Sequence, residues 1–465
     1  MRVAIVGAGP AGIAAAGVLV AHGVAPILID EAQRPGGQIF RQPRPGLRLE
    51  IAALLGAEAG NYQRTHAAFE ALRDRVDYRP QTLAWAVDDR TLHTMRGGEA
   101  ATVDFDALIL STGATDRVLP IQGWTLPGVF TLGGAQVLLK EHGCLIGRRI
   151  VFCGSSPLLY LAARQYRRMG AEIVAVLDTT PFAGKIAATA DLAAAPGTLA
   201  RGLGYMASLR RPGVAMHHGV RLRAFEGTAG VEAVRFHDRG GNEITLACTA
   251  VAFGFGLKPE TQLAELAGVP LHYDPVFRQW LPRADTDGRC GNIYLAGDGA
   301  TVGGAQAAAL TGRLAACAAL EDHRIAVTGV DRSRARRQVA RLRRFQRGLA
   351  RAFAWPVEAI HDLDDNVMVC RCEGTSAGAL RASIRADFGP TEVNRLKAIT
   401  RCGMGRCQGR FCAPAAAELT AQLRGVPLEA VGRLRVQPPI KPLPLAISAA
   451  GNIAAAARDE TRAPG

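Results

Sequence analysis

The clearest chemical signal in this chain is a group of cysteines near its C-terminal end. Five of the ten cysteines fall in one short window, as Cys370-Arg-Cys372 and then Cys402, Cys407 and Cys412. Clustered thiolates bind Zn²⁺ or an iron–sulfur cluster, because both are soft-ligand sites. Structural zinc sites usually use C-x2–4-C pairs, so the closer C-x-C pair favours iron and sulfur, with zinc or no metal as the alternatives.

A glycine-rich turn near the N-terminus points to a bound dinucleotide. An apolar strand runs directly into Gly7-Ala-Gly9-Pro10-Ala11-Gly12, a helix follows, and a second strand ends at Asp30-Glu31. This is the βαβ order that such a motif requires. Gly7 permits the tight turn, Gly9 lets the backbone approach a pyrophosphate, and Gly12 lets helix and strand pack closely. Asp30 is expected to accept a hydrogen bond from a ribose hydroxyl, with Glu31 as the weaker candidate.

Three later segments identify the dinucleotide as FAD through a resemblance. Gly36-Gly37-Gln38, Thr112-Gly113 and Gly297-Asp298 follow the order found in the two-dinucleotide-domain flavoproteins of the glutathione and thioredoxin reductase type. The resemblance implies that the loop with Gly37 and Gln38 passes under the flavin and that Asp298 holds the ribityl chain. It also implies a helix, opened by Gly303-Gly304-Ala305, whose N-terminus faces the flavin pyrimidine and favours negative charge there.

A second βαβ unit, over residues 149–178, takes the place of the NAD(P)H domain of those flavoproteins. Its turn begins at Gly154 but carries Ser156 and Leu159 where the second and third glycines of the motif would stand. Both added side chains argue against ordinary NAD(P)H use, so this nucleotide site is expected to be degenerate. The unit then survives as a structural domain, or it binds another nucleotide in a different pose.

A redox disulfide is missing beside the expected flavin. The related disulfide reductases carry a C-x-x-C or C-x4-C pair there, whereas the loop after Gly37 has no cysteine. The five cysteines outside the C-terminal window show no paired motif. The flavin is therefore expected to exchange electrons with something other than a disulfide.

The cysteine window resembles the bacterioferritin-associated-ferredoxin-like [2Fe–2S] domain, a small helical fold. That domain has a C-x-C pair, a helical stretch and a second cysteine pair, and residues 378–387 and 392–399 are expected to be its helices here. The resemblance implies the ligands Cys370, Cys372, Cys407 and Cys412. Cys402 is left over and is a candidate substitute, because Cys402 and Cys407 repeat the C-x4-C spacing of Cys407 and Cys412.

Taken in order, these segments resemble the alpha subunit of the heteromeric flavin-dependent dehydrogenases, which include opine oxidases, D-hydroxyproline and proline dehydrogenases, and hydrogen cyanide synthase. The resemblance implies that a beta subunit, similar to D-amino-acid or sarcosine oxidase, oxidises the C–N bond of a secondary or D-amino acid or an opine. This chain would pass the electrons onward through FAD and [2Fe–2S]. The resemblance also implies an FMN at the subunit junction and, in some members, a small ferredoxin-like subunit. No residue of this chain is assigned as catalytic.

The predicted fold class is α/β, with two Rossmann-like domains and a small helical [2Fe–2S] domain. The FAD domain is expected over residues 1–118 and 285–325, the degenerate NAD(P)-type domain over 119–284, and the [2Fe–2S] domain over 362–425. A basic linker, 326–361, contains an amphipathic helix with nine arginines, and a proline-rich tail occupies 426–465. The helix is expected to pack on its own protein, ahead of a partner subunit or a membrane surface.

Composition excludes some functions and leaves others open. The net charge is +14, but no base-stacking module accompanies it, so nucleic-acid binding is not expected. No apolar run reaches the roughly 18–20 residues of a membrane span, and the chain is expected to be cytoplasmic. Two alternatives to the electron-transfer subunit remain: a self-contained NAD(P)H:acceptor oxidoreductase, and a non-catalytic redox-sensing or iron–sulfur module.

Overall fold

The computed structural model describes residues 1–210 and 214–444. In it, the strands of the first βαβ unit form part of a single sheet. The sheet has six strands, parallel except at one edge, and its central strands are wholly buried apolar runs. In spatial order the strands are Arg289–Cys290, Ile293–Leu295, Ala107–Leu110, Val3–Val6, Ile27–Ile29 and Asp77–Arg79. Strands separated in sequence by well over a hundred residues thus pair in one sheet, as Ala107–Leu110 does with Ile293–Leu295.

Two helices cover the centre of this sheet and pack against each other without intervening side chains. They are Pro10–Ala21 and Gly304–Asp322. A Cβ on Gly312 would lie 2.1 Å from the carbonyl oxygen of Ala11, so only glycine permits this approach. The other elements of this domain are the helix Ala59–Glu70, the short helix Ile51–Leu55, and an antiparallel sheet of Thr82–Asp88, Thr91–Arg96 and Glu99–Asp104.

The second Rossmann-like domain has a five-stranded parallel sheet. Its strands, in spatial order, are Ala215–His218, Glu172–Asp178, Arg149–Gly154, Ala250–Gly254 and Val129–Thr131. Its main helices are Leu132–His142, Pro157–Arg168 and Pro196–Leu209, with short helices at Phe182–Ala187 and Thr189–Leu192. The short helix Gln262–Leu266 packs instead in the core of the FAD domain. Antiparallel strands complete it: Arg221–Glu226, Ala233–His237, Glu243–Ala247, Leu271–Asp274 and Gln279–Pro282. The strands Ala114–Asp116 and Leu257–Pro259 pair where the chain crosses between the domains.

The arginine-rich helix spans Arg332–Ala352 and packs on its own protein, as predicted. Its apolar side chains are buried, including those of Val339, Leu342 and Phe345. Its arginines form ion pairs with acids of the two Rossmann-like domains, namely Asp191, Asp274 and Asp287. Among the described residues, no helix is both long and apolar enough to cross a membrane.

The cysteine domain is a small helical unit that shares a hydrophobic core with the second Rossmann-like domain. Its elements are Val357–His361, Met368–Cys370, Thr375–Ser376, Ala377–Arg385, Val393–Thr400, Ala413–Arg424 and Leu428–Val431. Cys370, Cys402 and Cys412 belong to the same buried core as Val151 and Phe253 of the neighbouring sheet. The cysteine region is therefore docked on the flavoprotein rather than tethered to it.

The proline-rich tail runs over the FAD domain as an irregular strap. Ile440 is buried among side chains of that domain, and its amide donates to the carbonyl oxygen of Trp85, 3.1 Å away. Lys441 forms an ion pair with Glu31. The part of the predicted tail from residue 445 onward lies outside the described residues.

The contact between the two FAD-domain helices gives a stability test with an internal control. Alanine at Gly312 must displace the backbone of Ala11, and overpacking of this kind costs about 1–3 kcal/mol. Alanine at Gly17, also inside a helix, meets only a side-chain atom of Leu72 at 3.7 Å and gains up to about 1 kcal/mol in helix propensity. Thermal denaturation should rank Gly17→Ala at or above the wild type and Gly312→Ala below it. Equal midpoints for the two variants would contradict the packing described.

Candidate cofactor sites

A cavity of about 2920 Å³ lies between the two Rossmann-like domains and receives the predicted FAD residues. Every one of them except Gly12 lines it: Gly7, Gly9, Pro10, Ala11, Asp30, Glu31, Gly37, Gln38, Thr112, Gly113, Gly297, Asp298 and Ala305. These residues come from four separate stretches of chain. The cavity is thus built by tertiary packing at the carboxyl ends of the parallel strands, where dinucleotides bind in such folds.

The three glycines of the first turn differ in what a side chain at each position would contact. Gly7 has φ +106° and a Cβ there would lie 2.2 Å from the carbonyl oxygen of Ser111. A Cβ on Gly12 would lie 1.9 Å from the carbonyl oxygen of Gly7. A Cβ on Gly9 would meet only Gly37, at an ordinary 3.7 Å. The protein itself therefore leaves space at Gly9, and a pyrophosphate fits that space.

Two half-buried carboxylates hold the loops that surround this cavity. Asp30 accepts hydrogen bonds from the amides of Ala8 at 2.5 Å and Ala32 at 2.7 Å. Asp298 accepts from the amides of Gly303 at 2.8 Å and Gly304 at 3.0 Å, at the start of the Gly304–Asp322 helix. Burial raises the pKa of both carboxyl groups. A carboxylate can accept about four hydrogen bonds, so each retains capacity for a ligand hydroxyl.

Lys140 is a residue of the flavin region that the sequence analysis missed. It lies on the Leu132–His142 helix of the second domain, and its ammonium donates to the carbonyl oxygen of Ile39 at 3.1 Å in the loop after Gly37. Burial, assisted by the nearby Arg41, lowers the pKa of Lys140 to about 7. A lysine within an apolar helix pattern gives no sequence signal of this contact, because the loop is about a hundred residues away.

In the turn of the second βαβ unit, side chains occupy the helix N-terminus, where a nucleotide phosphate would need free backbone amides. Ser156 caps the Pro157–Arg168 helix, and its hydroxyl accepts from the amide of Leu158 at 3.2 Å. Pro157 has no amide proton to offer. Leu159 is fully buried in the core between helix and sheet, in the space that a glycine would leave for close packing. Of the predicted residues of this site, only Ser156 lines the cavity, while Gly154 and Leu159 do not.

Asp178, the acid that ends the second strand of this unit, is turned inward. It is fully buried, and its carboxylate accepts hydrogen bonds from Tyr160, Lys185 and both the amide and hydroxyl of Thr180. Burial raises the pKa of Asp178, but the surrounding donors outweigh that effect and hold it at about 2. Four donors use the acceptor capacity of the carboxylate, so it has none left for a ribose.

The five C-terminal cysteines lie together. The sulfurs of Cys370, Cys402 and Cys412 are all within 4.8 Å of one another and are buried. Cys372 and Cys407 lie beside these three, since both Cys412 and Cys372 affect the pKa of Cys407. Hydrogen bonds from Cys402 and Cys412 lower the pKa of Cys370 to about 2, and one from Cys412 lowers that of Cys407 to about 5. Burial raises the pKa of Cys372, and the hydrogen bonds to Cys370 raise those of Cys402 and Cys412, so a metal has to displace the protons of these three thiols.

The structure thus brings Cys402, which the spacing leaves without an assigned role, into the group with the four expected ligands. A binuclear cluster with four cysteine ligands fits a group of five, with one sulfur in excess. Cys372 is exposed and Cys407 is half-buried, while the other three are buried. The assignment of four particular ligands stays a prediction.

The cysteine group and the flavin cavity share a wall. Arg410 and Phe411, which stand between Cys407 and Cys412 in the chain, both line the cavity. All ten cysteines are described, and none of them lines it. The cavity therefore has a neighbouring group of cysteines, and no pair of cysteines forms part of its own lining.

Comparisons with protein families agree with this arrangement. The pyridine nucleotide-disulphide oxidoreductase model matches residues 1–312, and the BFD-like [2Fe–2S] binding domain model matches residues 368–422. Fold and site together define an oxidoreductase that binds FAD and a [2Fe–2S] cluster. The residues of the glycine motif fit FAD, and the cysteines fit the cluster. The predicted fold class and these two cofactors are confirmed.

More specific relatives match nearly the whole chain. One is an opine oxidase subunit from Agrobacterium tumefaciens (strain Ach5), 37% identical over 95% of this chain and 90% of its own length. Hydrogen cyanide synthase subunit HcnB of Pseudomonas aeruginosa is 30% identical, over 96% and 97%. The chain belongs to the family of these two proteins. L-proline dehydrogenase from P. horikoshii shares the fold with a TM-score of 0.71 at 21% identity, over 96% of this chain and 78% of that one.

The inward-facing acid of the second domain predicts a pH-dependent loss of stability. Asp178→Asn leaves Lys185 without its buried partner and should lower the free energy of unfolding by about 3 kcal/mol at neutral pH. The pKa of Asp178 is lower in the folded state, about 2, than the roughly 3.9 of an unfolded chain. Its contribution is therefore complete above about pH 4 and disappears as the pH falls through about 2.

Denaturation curves check this expectation. They are recorded by circular dichroism for the wild type and the variant, at neutral pH and at about pH 2. Asp191→Asn is the matched control, because Asp191 pairs only with exposed arginines of the same protein. Such pairs contribute about 1 kcal/mol or less. A loss for Asp178→Asn no larger than that of the control would contradict the network.

Proposed function

We propose that this chain is the electron-transfer subunit of a heteromeric flavin-dependent dehydrogenase or oxidase. A partner beta subunit, similar to D-amino-acid or sarcosine oxidase, oxidises the C–N bond of a secondary or D-amino acid or an opine. The observation that carries the proposal is the shared wall, in which Arg410 and Phe411 of the cysteine loop face the FAD cavity. The names of the relatives, which are subunits of opine oxidase and hydrogen cyanide synthase, support the heteromer.

Within this proposal the chain holds two groups of different electron capacity side by side. FAD accepts electrons in pairs and a [2Fe–2S] cluster passes them singly. The glycine turn and the Pro10–Ala21 helix bind the pyrophosphate, while Asp30 and Asp298 accept from ribose and ribityl hydroxyls. Lys140 holds the loop with Gly37 and Gln38 in place.

Further members of the complex follow from the same proposal. The electron path would be extended by an FMN where the beta subunit meets this chain and by a small ferredoxin-like subunit. The complex would work in the cytoplasm. The substrate is then selected by the beta subunit, so this chain needs no amine site of its own.

The competing proposal, a self-contained NAD(P)H:acceptor oxidoreductase, has less support. Ser156 and Pro157 leave few backbone donors at the helix start, and the carboxylate of Asp178 is fully used. Without these groups a dinucleotide loses both its phosphate and its ribose contacts. NAD(P)H is therefore not proposed as the reductant.

Purification of this chain from its native cells, followed by assays of the complex and of the separated chain, tests the proposal. A flavoprotein of the beta type should co-purify, and only the complex should oxidise an amine substrate. Anaerobic mixing of the chain with NADH or NADPH should leave its flavin oxidised. Rapid bleaching by either nucleotide, or amine oxidation by the chain alone at the rate of the complex, would reject the proposal.

We propose Cys370, Cys372, Cys407 and Cys412 as the cluster ligands and Cys402 as the cysteine in excess. Replacement by serine should remove the cluster at each of the four ligand positions, because the hard hydroxyl is a poor ligand for iron in such a site. Cys402→Ser should retain it. Iron, acid-labile sulfide and the electron paramagnetic resonance spectrum measure the outcome. If Cys402→Ser loses the cluster and Cys372→Ser keeps it, the three buried sulfurs and Cys407 are the ligands instead.

A further inference from the structure

Glu260 joins the FAD turn through its backbone. Its amide donates to the carbonyl oxygen of Gly113 at 2.9 Å, and its carbonyl oxygen accepts from the hydroxyl of Thr112 at 2.6 Å. Thr112 also packs on the Asp298 turn, since a Cβ on Gly299 would lie 2.5 Å from its hydroxyl oxygen. Glu260 is therefore fixed to the Thr112–Gly113 turn and, through Thr112, to the turn that carries Asp298.

The side chain of Glu260 reaches the cysteine loop. Its carboxylate receives two hydrogen bonds from Arg410, from Nε at 2.7 Å and from Nη2 at 3.1 Å, and both side chains are nearly buried. The other terminal nitrogen of Arg410 donates to the carbonyl oxygens of Cys407 at 3.3 Å and Ile440 at 2.9 Å. A second link runs beside it, from the side-chain amide of Gln262 to the carbonyl oxygen of Gln408 at 3.1 Å.

We propose that Glu260 and Arg410 are positioning residues that fix the cysteine loop, residues 407–412, to the FAD turn and tune the redox potential of the cluster. The rigid guanidinium forms two parallel bonds to the carboxylate and still has donors for the loop backbone, which a lysine ammonium does not reproduce in this geometry. The part that concerns the rate of electron transfer rests on the proposed function. The part that concerns the potential does not.

Electron transfer from FAD to the cluster depends on the distance between the two groups and on the charges beside them. When both groups are bound, oxidation of FADH2 to FAD would give up two electrons and two protons, and the protons would pass to solvent. The cluster would accept the electrons one at a time and give each to a one-electron acceptor. Reduction adds negative charge beside Arg410, whose own charge is balanced by Glu260. Loss of either partner then shifts the potential in a defined direction.

Glu260→Gln, Arg410→Gln and the double variant form the test in the full-length chain. Without the carboxylate, the unbalanced guanidinium should raise the midpoint potential of the cluster, and without the guanidinium the carboxylate should lower it. The double variant should return towards the wild-type potential. After flash reduction of FAD, the rate of cluster reduction should fall in all three variants, because the cysteine loop is no longer fixed to the FAD turn.

Potentials are read from redox titrations followed by electron paramagnetic resonance, in samples whose iron, sulfide and FAD contents match the wild type. If Arg410→Gln does not assemble the cluster, Glu260→Gln carries the measurement, since Glu260 lies outside the cysteine loop. Arg278→Gln is the matched control. Arg278 forms the same two-bond ion pair with Glu418, also between the cysteine domain and its neighbour, but touches neither cofactor loop.

Potentials shifted in opposite directions, with an unchanged potential in Arg278→Gln, support the pair as a tuning device. An unchanged potential and rate in both single variants would overturn it, as would equal effects in the control. If the wild type itself passes no electron from FAD to the cluster, the proposed relay fails, whereas the potentials still decide the role of the pair.

Discussion

The approach of backbone to backbone around the first turn is the constraint on which the rest of this structure depends. Ala11 on the first helix touches the Gly304–Asp322 helix at Gly312, and Gly12 touches the turn itself at Gly7. These contacts bring two helix N-termini and two half-buried carboxylates to the edge of one sheet. Any side chain there would separate the helices and open the cavity, because packed backbone cannot give way as a side chain does.

The second Rossmann-like domain shows how the same supersecondary unit can become a scaffold. The strand, turn, helix and strand are retained, yet Ser156 caps the helix, Leu159 fills the core, and Asp178 binds residues of its own domain. Each group that would contact a nucleotide instead stabilises the fold. The domain then offers one face to the cysteine domain through a shared core and, through Lys140, holds the flavin loop from another side.

Sequence patterns predict the local parts of the site well, for physical reasons that act over short distances. The helix expected over residues 378–387 is observed as Ala377–Arg385, because the cap that starts a helix and the packing of its apolar face are local. The glycine positions follow from the geometry of a single turn. The contribution of Lys140 and the inward orientation of Asp178 have no sequence signal, since each depends on partners from elements folded elsewhere.

By itself the sequence determined the βαβ units, the glycines that a nucleotide requires, the two altered positions of the second unit, and the presence of a cysteine group with [2Fe–2S] spacing. Only the tertiary structure decided that Cys402 lies among the other cysteines and that Arg410 and Phe411 face the flavin cavity. It also decided that Glu260 joins the two cofactor regions. Local motifs fix which atoms can bind a group, whereas the distance between two groups depends on how whole domains pack.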